Sequence, residues 1–161
     1  MRTFDLHTSV RLPLPLSQVF PFFSDAYNLE TLTPPWVRFS VLTPRPITMG
    51  VGTEIDYQLK IHGIPVRWRS AITAWEPPFR FVDEQLRGPY SLWVHEHRFR
   101  EEDGQTVAED HVRYAVPGGA LVHSLFVRRD VERIFAFRQQ KNAGTVRPHR
   151  VRAGCLMVRR R

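Results

Sequence analysis

The chain is poor in sulfur: of 161 residues one is cysteine, Cys155, and three are methionine. A single thiol excludes an internal disulfide and makes the cytoplasm the expected compartment. Long apolar runs are missing too, since nothing approaches the roughly 20 residues needed to span a bilayer. The opening stretch "MRTFDLHTSVRLPLPLSQ" alternates apolar and polar residues and then meets prolines, so it lacks the continuous apolar core of a signal peptide. Acid is absent from the C-terminus: residues 143–161 hold six arginines and no Asp or Glu, whereas residues 1–142 hold 17 Lys+Arg against 16 Asp+Glu. The sequence pI near 10.5 therefore describes a tail and not the body of the protein. Repeats, a Walker pattern and a GxGxxG loop are all lacking, and no serine sits in a nucleophile-elbow context.

Aromatic side chains are plentiful, with 11 Phe and 4 Trp in a chain that is 42% hydrophobic. At this length one domain is the simplest reading, and folding hides roughly two-thirds of the unfolded surface, enough for a core that contains a cavity. The domain is placed at residues 1–142, with 143–161 read as a basic, disordered tail.

Alternation over "TFDLHTSVRL" predicts a first strand, and "PLPLSQVFPFFSDAYNLETLTPP" predicts short helices with Ser17 as N-cap and Pro34-Pro35 as the stop. "WVRFSVLTP" reads as a second strand. Five more follow at Thr53 to His62, Ile64 to Trp75, Phe79 to Arg87, Tyr90 to Arg100 and Thr106 to Val116, separated by turn chemistry such as His62-Gly63 and Asp103-Gly104. After Pro117-Gly118-Gly119 the period becomes helical, with Phe126, Val127, Val131, Ile134 and Phe137 on one side. The expected fold is α+β: a seven-stranded antiparallel curved sheet wrapped around one long C-terminal helix, with two short helices after strand 1.

Asp103-Gly104 favours a two-residue type I′ turn, which sets His97 opposite Asp110, His95 opposite Val112 and Trp93 opposite Tyr114 on one face. The other face carries Glu96, Arg98, Glu109 and His111 and should meet solvent. A bulge near Gly88-Pro89 brings Phe79, Phe81, Asp83 and Gln85 onto the same inner face as Trp93 and the histidines. Tyr57 and Trp68 add to this wall from the preceding hairpin, and Val131 and Ile134 face it from the helix. Such a surface, apolar with a few polar handles, suits an internal ligand pocket.

His97 opposite Asp110 fits a proton-transferring base with its orienting carboxylate, and equally a buried histidine whose hydrogen bond is satisfied. A His-x-His pair with Asp110 across could also ligate a metal, although two histidines and a carboxylate without further spacing signals do not specify one. No metal and no cofactor are expected.

The run "IPVRWRSAITAWEPPFRFVDEQLRGPYSLWVHEHRF", together with the element order over residues 1–142, resembles the SRPBCC superfamily. This is the helix-grip fold of START lipid-transfer domains, birch-pollen-type allergens and polyketide cyclases, and the likeness is greatest to a bacterial cyclase/dehydrase-like branch. The resemblance implies a hydrophobic cavity between sheet and last helix. It leads to the expectation of binding, transport or sequestration of a hydrophobic or aromatic small molecule or lipid. The ligand-contacting residues would be Tyr57, Trp68, Phe81, Asp83, Gln85 and Trp93, with His95, His97, Tyr114, Val131 and Ile134. A polyketide cyclase or dehydratase-like enzyme using His97 and Asp110 for proton transfer is the alternative. The expected partner is a hydrophobic small molecule; nucleic acid is not expected, and the basic tail offers contact with a membrane surface.

Overall fold

The computed structural model describes residues 1–145 and 157–160. β1 (Phe4–Leu12) leads into two short helices, α1 (Leu16–Phe23) and α2 (Asn28–Leu32), and then into a 3-10 turn at Pro35–Val37 and β2 (Ser40–Val41). A meander follows: β3 (Glu54–Ile61), β4 (Ile64–Glu76), β5 (Arg80–Arg87), β6 (Leu92–Glu102) and β7 (Gln105–Ala115). A helical segment follows, made of α3 (Gly119–Val122), a π-helical turn at His123–Val127, and α4 (Arg128–Thr145). All strand pairs are antiparallel, in the order β2-β3-β4-β5-β6-β7-β1, with a short strand β8 (Met157–Arg160) added outside β1. β8 is drawn from the stretch read as a tail; residues 146–156 and 161 lie outside the described residues.

The β6–β7 register is the one set by the two-residue turn. Trp93 pairs with Tyr114, His95 with Val112, His97 with Asp110 and Phe99 with Ala108. Asp103 and Gly104 adopt φ of 52° and 71°, the left-handed conformation that a type I′ turn requires. The β5–β6 pairing also follows the bulged alternative, with Phe81 opposite His97 and Asp83 opposite His95. That loop is clamped by Gln85, whose Nε2 donates to Tyr90 O at 2.8 Å and whose Oε1 accepts from Tyr90 N at 3.3 Å. A Cβ at Gly88 would meet the end of the Gln85 side chain and displace it from this clamp.

Several local expectations are corrected. Phe79 is 59% exposed, because β5 begins only at Arg80 and Phe79 belongs to the turn after Pro77-Pro78, where strand alternation does not yet apply. Ser17 is not the N-cap of α1: the helix starts at Leu16, whose N–H donates to Glu101 Oε2 of β6 at 3.2 Å, so a distant strand supplies the cap. The second strand shrinks to Ser40–Val41 because the prolines turn the backbone into a 3-10 turn and Arg38 into a left-handed conformation. Phe126, in the π turn that precedes α4, is 60% exposed, whereas Val131 and Phe135 are the most buried positions of α4.

Three apolar clusters form the core. One joins α1 to the sheet through Leu16, Val19 and Phe20 against Phe81 and Phe99. Another lies under α4, where Val131 and Phe135 meet Leu6, Val112 and Tyr114. The third sets Ala26 and Leu29 against Ile55 and Tyr57. Each fully buried Leu or Phe contributes about 1.5–3 kcal/mol of transfer free energy.

Candidate functional site

A cavity of about 690 Å³ opens between the sheet and the C-terminal helical segment. Its wall is mainly apolar: Ile55, Tyr57, Trp68, Phe81 and Trp93 from the sheet, facing Val131 and Ile134 from α4. Trp68 and Trp93 meet edge to face with ring centroids 5.3 Å apart, so the aromatic wall is rigid. At the mouth, His62 of the β3–β4 turn stands 2.6 Å from Asp130 of α4.

One polar cluster interrupts this wall, and strand alternation builds it. β6 sends His95 and His97 inward two residues apart, β5 places Asp83 beside them, β7 sets Asp110 opposite His97, and β1 sets Thr8 opposite Asp110. Asp110 Oδ1 lies 3.0 Å from His95 Nε2 and 2.9 Å from His97 Nδ1, while its Oδ2 accepts from Thr8 Oγ1 at 3.3 Å. On the cavity side, Asp83 Oδ2 lies 3.2 Å from His97 Nε2 and 3.7 Å from His95 Nδ1. Both imidazoles, each 5% exposed, therefore stand between two carboxylates. Phe81 stacks on His97 with centroids 4.1 Å apart, and Phe135 meets His95 edge to face at 5.6 Å, which fixes both rings.

Burial works to raise the Asp110 carboxyl, but hydrogen bonds from His95 and His97 outweigh it and hold Asp110 well below the usual carboxylate range. Asp83 is lowered for the same reasons, with the Arg138 charge adding to those of the histidines. Burial and the neighbouring His97 push His95 down, whereas hydrogen bonds to Asp110 and Asp83 override burial and raise His97. Of the two rings, His97 is thus the more basic. The cluster can donate to, or take a proton from, a polar atom at the cavity floor.

Among the residues selected from sequence, Tyr57, Trp68, Phe81, Asp83, Trp93, His95, His97, Val131 and Ile134 all line the cavity. Three do not. Gln85 is committed to the Tyr90 backbone, Asp110 lies behind the histidines, and Tyr114 is buried at 1% exposure with its hydroxyl 2.9 Å from His123 Nε2. Sequence reasoning missed Phe135 and Arg138, which line the cavity from α4 and follow Val131 at the i+4 and i+7 positions of the same helix face. Arg138 Nε is, among the described residues, the one buried side-chain polar atom without a hydrogen-bond partner.

Comparison with known proteins agrees with this architecture. No curated protein sequence matches the chain. Among solved structures, protein Ms6760 from Mycobacterium smegmatis is 17% identical with a TM-score of 0.65, covering 88% of this chain and 89% of its own. The Zhui aromatase/cyclase from Streptomyces sp. R1128 is 15% identical with a TM-score of 0.66, covering 89% and 93%. The major latex-like protein 151 of Panax ginseng is 11% identical with a TM-score of 0.66, covering 91% and 99%. At these identities the likeness establishes the helix-grip fold. The family model for polyketide cyclase/dehydrase and lipid transport proteins matches residues 12–139, from the end of β1 to the last turns of α4. By that match, the chain is a member of the polyketide cyclase/dehydrase and lipid transport family.

Proposed function

We propose that the protein binds a hydrophobic or aromatic small molecule or lipid inside its cavity, for transport or sequestration. The observation that carries this reading is a 690 Å³ space walled by aromatic and aliphatic side chains whose polar groups gather at one place. The apolar body of the ligand would lie against Trp68, Trp93 and Tyr57. Its polar end would meet Asp83, His95, His97 and Arg138, whose unpartnered Nε suits an oxygen acceptor. Native mass spectrometry of the purified protein tests this: a 1:1 adduct, released and identified by organic extraction, is expected. Retention of nothing from a panel of lipids and aromatic compounds would sink the reading.

A second reading is favoured by the buried histidines opening on the cavity and by the likeness to an aromatase/cyclase. His97 would act as general base, oriented by Asp110, in a cyclase- or dehydratase-type reaction. His97→Gln is expected to lower turnover of a confirmed substrate by about 10²-fold or more. Unchanged turnover removes His97 from that role.

A further inference from the structure

We propose that Asp83, His95 and His97 form a site for a divalent transition-metal ion on the floor of the cavity. The argument lies in which nitrogen of each ring faces which carboxylate. Asp110 Oδ1 stands 3.0 Å from His95 Nε2 and 2.9 Å from His97 Nδ1. With the ring hydrogens on those two nitrogens, each ring would donate to Asp110, whose other oxygen accepts from Thr8 Oγ1. The other nitrogens, His95 Nδ1 and His97 Nε2, face the same oxygen, Asp83 Oδ2, at 3.7 Å and 3.2 Å, so an ion entering between them would replace the His97–Asp83 hydrogen bond and take their lone pairs.

These three ligand atoms lie within 4.8 Å of one another, and the 3.2 Å and 3.7 Å from Asp83 Oδ2 to the two nitrogens are close to the roughly 3.3–3.6 Å between ligands of a tetrahedral ion bound at about 2.0–2.2 Å. A carboxylate behind each ligating histidine is the outer arrangement that fixes the ring's tautomer and its orientation. Asp110 serves both rings at once. All three ligands line the cavity, so the remaining coordination positions would be reached from it, as in sites that take water or substrate and unlike closed structural sites.

The donor set narrows the ion. Two imidazole nitrogens and one carboxylate oxygen suit zinc, cobalt or iron(II), whereas calcium and magnesium take oxygen ligands. Charge agrees: two carboxylates, Asp83 and Asp110, flank the imidazoles and would offset the charge of a divalent cation. The site also reassigns the carboxylates. Sequence spacing suggested Asp110 as the third ligand, but Asp83, brought in by β5, takes that place and Asp110 becomes the positioning residue. The inference goes beyond ligand binding and does not rest on it, because metal uptake is measured on protein freed of small molecules.

The test is titration of metal-free, full-length protein with Co2+, followed by calorimetry and visible absorption, with Zn2+ as competitor. One ion per chain is expected, displaced by zinc, with paramagnetic shifts of the His95 and His97 imidazole resonances. D83N and H97Q are expected to weaken cobalt affinity by about 100-fold or more, and D110N by about 10–100-fold with an altered cobalt spectrum. Failure of Co2+ to saturate at one per chain, or unchanged affinity in D83N, overturns the proposal. Where a variant does not fold, the wild-type resonances decide: cobalt bound without shifting His95 and His97 overturns it equally.

Discussion

Asp5 of β1 and Asp110 of β7 both accept from histidine, yet they face opposite sides of the sheet and do different work. Asp5, on the outer face, is 2.9 Å from His111 Nε2 and 3.1 Å from Arg113 Nε. Burial acts to raise its carboxyl, but these two partners, by hydrogen bond and charge, leave it below the usual range. A carboxylate lowered on folding contributes stability above its unfolded value, near pH 4, and loses it as pH falls through the folded value. Asp5→Asn should therefore cost about 1–3 kcal/mol at neutral pH, with the difference from wild type vanishing in acid. Urea denaturation at pH 7 and at pH 3 checks this; a difference independent of pH would contradict the assignment. On the inner face, Asp110 was legible in the sequence as the partner of His97, because hairpin register alone sets it there. Asp83 was legible as a neighbour but not as the group closing the cluster, since its place depends on a bulged loop clamped by Gln85.

At the level of elements, two-residue periodicity and turn chemistry carried the meander from β3 to β7. They set side-chain faces without any long-range information. What they could not carry were features fixed by distant contacts: the cap of α1 supplied by Glu101, and the shortened β2, where Glu30 Oε1 of α2 accepts from Val41 N at 2.8 Å. The π turn is a third case. Nothing in "VHSLFVRRD" departs from ordinary helical spacing, yet the chain forms a π turn there and leaves Phe126 60% exposed. The His62–Asp130 pair likewise joins a β-turn to α4 across the mouth. His62 is exposed, so such a pair is worth about 0–1 kcal/mol, and His62→Ala should barely move Tm. It should speed release of a cavity-bound probe by up to about fivefold, the same energy expressed as a rate. Stopped-flow dissociation measures this, and an unchanged rate would place the exit elsewhere.

For the whole molecule, the three apolar clusters pack α1, α2 and α4 against the sheet and leave a cavity between them. The sheet wraps a helix whose buried side chains, Val131 and Phe135, reach only part of the concave face. The fold thus makes the cavity, and the sequence decides its lining: aromatic walls, one histidine–carboxylate floor and the unpartnered Arg138 Nε. The most direct measurement is a paired fluorescence titration with the anionic probe 1-anilinonaphthalene-8-sulfonate and its neutral relative N-phenyl-1-naphthylamine. Both should bind at one per chain and quench Trp68 and Trp93, which line the cavity. Arg138→Met should weaken the anionic probe by about tenfold or more, the value of a charge-assisted hydrogen bond, and leave the neutral one nearly unchanged. Absence of saturable binding, or binding that leaves the tryptophan emission untouched, would contradict a ligand held in this cavity.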